Sequence, residues 1–422
     1  MPSKFVIEGN HPLNGNVIIS GSKNAALPCI AATILAKGES TLTNVPNIED
    51  VHTLCKIMED LGVKTEFNDG TLKIDTSNME NKNISHYLVK QLRASILLLG
   101  PMLSRFNEVS LNFPGGCVIG KRSVRAHINA LCDLGAEIVN SKDVIHLKTS
   151  ELKPETVIMW EVSVTGTENA IMAAANIEGT SIIRLAAQEP HVQNLCHMLV
   201  GMGVEIKGIG THTLIITGSK NLQAVEHRII GDYLEMGTFA IAGTIVPHSS
   251  ITITGAKIHD LDSFWCKLRE AGGNFEFIDE DTVKISSSDN LKAFPKLETR
   301  LYPGFPTDLQ APFAVLLIQS EGISKIFETL FEGRFTYLNE LEKMGAKVEI
   351  YNPHQALVVG KTLLKGKDVV SCDLRAGAAV VLAGLVAEGN TTIRDINYID
   401  RGYEKFEEKL KNIGAKIERM DC

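Results

Sequence analysis

Six stretches of this chain share one pattern: an amphipathic run closes on a glycine, and an alternation of apolar and polar residues follows. They read MEDLGVKTEF around Gly62, LCDLGAEIV around Gly135, LVGMGVEIK around Gly203, LREAGGNFEF around Gly272, LEKMGAKVEI around Gly345 and LKNIGAKIER around Gly414. Successive glycines stand 73, 68, 69, 73 and 69 residues apart. A glycine at the end of a helix suits the left-handed cap conformation, and alternation after it marks a strand. A fixed period of this kind predicts one αβ unit multiplied six times.

Upstream in each repeat lies a second, more apolar run: NAALPCIAATILAKG, QLRASILLLGPMLSRF, TENAIMAAANIEG, LEMGTFAIAGTIV, TDLQAPFAVLLIQSEG and LRAGAAVVLAGLVAEG. Small and apolar residues occupy nearly every side, which predicts buried helices packed closely on their neighbours. The segments that follow, such as GESTLTNV, GTSIIRLA, SSITITGA, GISKIFET and GNTTIRDI, carry the β-branched alternation of strands. The fold class is therefore α/β with helices inside and sheets outside. Three such helices fill one core, so three repeats per domain is the natural partition, with the midpoint of the chain falling between the third and fourth.

The chain has 422 residues, 44% of them hydrophobic, long enough for two or three domains with sizeable cores. Its formal charge of -8, with no long basic run, argues against a nucleic-acid partner and for a small-molecule one. No uninterrupted apolar stretch reaches membrane-spanning length, and MPSKFVIEGN lacks the apolar core of a signal peptide, so no membrane insertion is expected and the protein reads as cytoplasmic. Eight cysteines are scattered without a C-x-x-C pair or a histidine cluster, a pattern that predicts neither a metal site nor a disulfide framework. Only Cys117 stands out. It sits in FNEVSLNFPGGCVIGKRSVRAH, among Gly115, Gly116, Gly120, Lys121, Arg122 and Arg125. Glycines free the backbone while cations lower a thiol pKa and attract phosphate, so this insert reads as a functional lid. A buried turn cysteine among solvated charges is the plain alternative.

Polar residues recur at or near the starts of the buried helices: Lys23 and Asn24, Arg93, Glu168 and Asn169, Glu235, Asp308, and Arg375. Asn24, Glu168 and Asp308 could simply favour or cap those starts. Lys23, Arg93 and Arg375 fit that explanation badly, because positive charge at a helix start is unfavourable unless an anion compensates it. Asp308, in GFPTDLQAPF, follows two prolines that stiffen its approach, which suits a general base. DRGYEKFEEKL places Asp400 and Arg401 at the start of the last helix, with pairing of Arg401 to Glu404 or Glu407 as the plain alternative. Common nucleotide-binding glycine motifs are missing from the sequence.

Together GSKNAALP, QLRASILLLGP, PGGCVIGKR, FPTDLQAPF, DLRAGAAVVLAG and DRGYEKFEEKL resemble the enolpyruvyl transferase family, in order and over essentially the full chain. The resemblance implies an inside-out α/β barrel of two domains, residues 22–230 and residues 1–21 with 231–422, binding substrates between them under the lid. It implies transfer of the enolpyruvyl group of phosphoenolpyruvate to the 3-hydroxyl of UDP-N-acetylglucosamine, with release of phosphate, as the committing step of peptidoglycan precursor synthesis. Addition gives a tetrahedral intermediate and elimination follows; no cofactor or metal is implied. By resemblance Cys117 is the acid-like thiol and the site of alkylation by fosfomycin, and Asp308 is the hydroxyl-side carboxylate. Lys23, Arg122 and Arg401 match residues that hold the anionic groups of phosphoenolpyruvate, and Arg375 matches a further arginine of the site. Asn24, Arg93, Ser163, Val164, Asp308 and Leu330 match the sugar-nucleotide positions.

Three positions depart from the family's usual pattern: Ser123 and Arg125 stand where Pro and Asp are usual, and Glu161 where a Lys often contacts the diphosphate. Two alternatives accompany the main reading. One is the family branch that acts on shikimate 3-phosphate, against which the Cys-bearing PGGC loop speaks. The other is a sugar-nucleotide-binding relative without turnover.

Overall fold

The computed structural model describes residues 3–82, 84–115, 120, 123–140 and 144–421. They form two compact units, residues 3–20 with 120 and 231–421, and residues 21–115 with 123–230. Each unit carries three small sheets, all of four strands except one of three among the described residues.

One strand plan recurs. In the first unit Gly322–Phe327 runs parallel to the short Lys296–Glu298 and antiparallel to Gln355–Gly360, with Lys347–Asn352 on the outside. Ser250–Thr254 does the same between Asn14–Ile18 and Thr282–Ser286. In the third sheet Asn390–Arg394 pairs with Asp368–Val370, and its antiparallel neighbour is the N-terminal strand Ser3–Glu8, which pairs in turn with Lys416–Asp421. Phe5 and Ile7 of that strand are fully buried, as the period of two requires for a sheet with one face on a core. The first residues of the chain thus complete its sixth repeat.

The helices Tyr233–Ile245, Gln310–Gln319 and Leu374–Val386 are buried almost throughout, pack on one another, and each lies against its own sheet. Small residues permit this proximity: a Cβ at Gly377 would collide with Ser371 Oγ and Ile399. In the second unit Lys23–Ala32, Leu99–Phe106 and Val164–Ala175 take the same places, with Val164–Ala175 packed on Leu99–Phe106. The six amphipathic helices each end just before one of the six repeated glycines, whose φ values are 90°, 103°, 108°, 85°, 101° and 107° in chain order. A side chain there would meet the steric cost of left-handed backbone, so glycine sets where each helix stops.

One expected helix is broken. QLRASILLLGPMLSRF forms the end of His86–Gln91, an extended Leu92 (φ -123, ψ 110), the 3-10 turn Arg93–Leu98 and only then the helix Leu99–Phe106. Pro101 falls in the first turn of Leu99–Phe106, where its missing N–H costs no helical bond, so it suits the start of that helix and does not cause the break at Leu92.

Candidate functional site

Asp308 lies in the 3-10 turn Thr307–Leu309 that leads into the buried helix Gln310–Gln319. Its Oδ1 is 2.6 Å from Arg334 Nη2 and its Oδ2 is 3.4 Å from Arg375 Nε. Both arginine side chains are buried, at 7% and 4% exposure, whereas the Asp308 side chain keeps 24%. The carboxylate is therefore held by two guanidinium groups while staying partly exposed. It does not cap its helix.

The two other inner helices of this unit are capped, by residues not singled out in the sequence. Asp373 accepts from the backbone N–H groups of Arg375 (2.8 Å) and Ala376 (2.9 Å), and Asp232 from those of Leu234 and Glu235. Arg375, second in its helix, faces the unfavourable end of the helix dipole, and the anion that compensates it is on the chain: Asp308. Its guanidinium also lies 5.1 Å from the Tyr403 ring centre, and the Tyr403 hydroxyl meets Thr238 Oγ1 at 2.9 Å. Burial alone would lower the Arg375 pKa, but Tyr403, Asp308 and Asp232 outweigh it and push it up. Arg334 behaves likewise: burial works against its charge, while Asp308, Asp373 and Glu328 raise its pKa overall. Asp232 is raised by its burial, with Arg375 pulling the other way. Glu235, also raised by burial, holds Lys409 at 2.6 Å.

Leu330 belongs to the turn after Gly322–Phe327, and its backbone N–H donates to Glu328 Oε1 at 2.9 Å. Arg401 is half-buried and does not begin the last helix. It follows the short helix Asn397–Asp400, and the last helix, Phe406–Asn412, starts only after Lys405 at φ 48°. That left-handed residue interrupts the helical path. Glu407 is taken by Arg419 (2.5 Å), which also grips Asp400 through both Nη atoms at 2.9 and 2.6 Å.

In the other unit Lys23 opens the helix Lys23–Ala32 and its Nζ is 2.5 Å from Asp50 Oδ2, with both side chains mostly buried. Again the compensating anion is internal. Asn24, next to it, is half-buried. Arg93 begins the 3-10 turn and donates to the Pro114 carbonyl at 3.4 Å. Ser163 caps Val164–Ala175 by accepting from Gly166 N–H, and Val164 is the first helical residue.

The pair Glu168 and Asn169 points inward. Asn169 joins Ile96 O, His127 Nδ1 and the Gly100 N–H at 2.9, 2.9 and 2.6 Å, which makes it a core brace. Glu168 is fully buried, and that burial, with Glu189 nearby, holds its pKa well above the ordinary carboxyl value.

Cys117, Lys121 and Arg122 lie outside the described residues. Among the described thiols, burial pushes Cys55 and Cys196 up to about 12 and Cys29 well above its ordinary value. Such thiols stay protonated and inert at neutral pH, as small apolar fillers do.

Asp50, Asp232, Asp373, Arg334 and Glu328 were not singled out in the sequence. Two of the five carried a signal: Asp232 and Asp373 stand directly before apolar helices, the position at which Asp is favoured as a cap. Arg334, in FEGRFTYLNEL, carried none, since its partner is 26 residues away.

Residues 7–410 match the EPSP synthase (3-phosphoshikimate 1-carboxyvinyltransferase) family, and the chain belongs to that family. Within it, this chain is 45% identical over 416 residues to the UDP-N-acetylglucosamine 1-carboxyvinyltransferase of Campylobacter hominis, covering 98% of each chain. It is 41% identical over 420 residues to the protein of the same name from Methylacidiphilum infernorum, covering 99% of each. Among solved structures, the enolpyruvyl transferase NikO from Streptomyces tendae superposes with a TM-score of 0.90 over 100% of this chain and 99% of that one, at 24% identity, a likeness of fold. No helix among the described residues is long and apolar enough to cross a membrane.

Proposed function

We propose that the protein transfers the enolpyruvyl group of phosphoenolpyruvate to the 3-hydroxyl of UDP-N-acetylglucosamine and releases phosphate, a step of peptidoglycan precursor synthesis in the cytoplasm. The observation that carries this reading is the match, along 98–99% of the chain, to two relatives that bear this activity in their names.

The chemistry needs two opposed proton movements. In addition, the enol methylene carbon gains a proton, the hydroxyl oxygen bonds to the neighbouring carbon, and the hydroxyl loses its proton. In elimination the methyl group loses a proton and the carbon–oxygen bond to phosphate breaks. Asp308 is the group on the hydroxyl side. Two guanidiniums fix its direction, so as a carboxylate it can orient the hydroxyl as hydrogen-bond acceptor and take the proton as the oxygen–carbon bond forms. Cys117 is the thiol that serves the methylene carbon and the residue that fosfomycin alkylates.

Lys23, Arg122 and Arg401 hold the phosphate and carboxylate of phosphoenolpyruvate, their charge opposing its own. Lys23 reaches that task already paired with Asp50, which sets its direction. Arg375 supports Asp308 from the side. Asn24, Arg93, Ser163, Val164 and Leu330 contact the sugar nucleotide. The same reading takes the fold as an inside-out α/β barrel of two domains, residues 22–230 and 1–21 with 231–422, with the Cys117 segment as lid.

Phosphate release measured with each acceptor in turn tests it. Release with phosphoenolpyruvate and UDP-N-acetylglucosamine together, and with neither alone, supports the reading. Release with shikimate 3-phosphate instead assigns the protein to the other branch, and tight nucleotide binding without release makes it a binding protein.

A further inference from the structure

Glu328 is fully buried, yet all four donors that reach its carboxylate are neutral. Oε1 accepts from Thr299 Oγ1 at 3.0 Å and from the backbone N–H groups of Leu330 and Phe331 at 2.9 and 3.3 Å, and Oε2 accepts from Thr307 Oγ1 at 2.8 Å. Its own backbone is tied to His354, with the N–H donating to His354 O at 2.9 Å and the carbonyl meeting His354 Nδ1 at 2.7 Å. Burying a carboxylate is costly, and an apolar residue of like size would fill the space without that cost. What the carboxylate does, and an apolar side chain could not, is join three segments. It links the end of Lys296–Glu298, the turn that carries Asp308, and the turn that carries Leu330.

We infer that Glu328 is a positioning residue for the acceptor: it fixes the spacing between the Asp308 carboxylate and the Leu330 backbone, the two places where this unit meets the sugar nucleotide. This rests on the roles proposed above for Asp308 and Leu330. Thr307 immediately precedes Asp308, so its bond to Oε2 sets the approach of the turn, while Arg334 sets the direction of the carboxylate and also reaches the Thr307 carbonyl at 3.5 Å. No donor to Glu328 is a residue proposed for phosphoenolpyruvate, so the effect of its loss falls on one substrate.

The test is steady-state kinetics of the full chain with both substrates varied, on wild type, Glu328→Gln, Glu328→Ala and Thr307→Val. Gln keeps an acceptor for the two backbone N–H groups and offers its amide to the Thr307 hydroxyl. Thr307→Val removes the single Oε2 bond at constant shape and serves if Glu328→Ala does not fold. For Thr307→Val and Glu328→Ala the expected result is a fall of about tenfold or more in kcat/KM for UDP-N-acetylglucosamine, consistent with small misplacements of a reacting group. The KM for phosphoenolpyruvate stays within about twofold of wild type, the limit set for an unaffected site. Glu328→Gln recovers most of the loss. An active wild type whose variants shift both substrates together, or shift only the melting temperature, overturns the positioning role alone. A wild type inert toward UDP-N-acetylglucosamine overturns the underlying reading, and this inference with it.

Discussion

Arg334 and Asp308 form an ion pair, Nη2 to Oδ1 at 2.6 Å, in which the cation is buried and the anion partly exposed. Removing one partner of a buried pair leaves an uncompensated charge at a cost of about 3–5 kcal/mol. Arg334→Ala should therefore lower unfolding free energy in denaturant titrations by an amount near the bottom of that range, because Asp308 is partly solvated and retains Arg375. Asp308→Asn, which keeps shape and loses charge, should cost turnover about 10²–10⁴-fold if the carboxylate takes the hydroxyl proton. Full activity in Asp308→Asn would remove that role.

Lys23 depends on Asp50 in the same way, at 2.5 Å. Asp50→Asn should raise the KM for phosphoenolpyruvate more than that for the nucleotide, since it is the direction of the Lys23 ammonium that changes. An equal rise in both would assign Asp50 a purely structural part.

Glu168 gives a pH-dependent stability with a definite sign. Its folded pKa is raised by burial, so between the unfolded and folded values the native state holds a proton that the unfolded chain has lost. Stability contributed by this group is complete below the unfolded value and falls as pH rises above it. Glu168→Gln should therefore gain stability relative to wild type as pH rises from about 4 to 7, a window that opens near the ordinary Glu value. Urea midpoints of both proteins at several pH values check this; a difference that stays constant, or shrinks with rising pH, contradicts it.

Thiol reactivity should separate Cys117 from the buried thiols. Native protein treated with fosfomycin should gain one adduct by intact mass, and Cys117→Ser should gain none. Cys29, Cys55 and Cys196, buried with raised pKa, should resist alkylation until the chain unfolds. Adduct formation on Cys117→Ser would place the reactive thiol elsewhere.

The repeat was legible because it is written in local rules. Gly62, Gly135, Gly203, Gly272, Gly345 and Gly414 end helices by their own backbone preference, and small apolar residues mark the inner helices wherever they lie. Charges at helix starts were legible as anomalies, and Lys23 and Arg375 do need anions. That those anions are Asp50 and Asp308 was not legible, since such pairs form between residues 27 and 67 positions apart, through tertiary packing that no local pattern records. Arg334 and Glu328 escaped for the same reason. Leu92 and Lys405 are different: each interrupts an otherwise helical pattern through its own backbone angles, and neither is a residue type that announces a break.

Most direct of all is to incubate the purified protein with phosphoenolpyruvate and UDP-N-acetylglucosamine, and to follow phosphate and the mass of the nucleotide together. Phosphate in equal amount to a nucleotide heavier by one enolpyruvyl group, abolished in Asp308→Asn, is the predicted result. An unchanged nucleotide in the presence of both substrates, under conditions where the protein is folded, would contradict it.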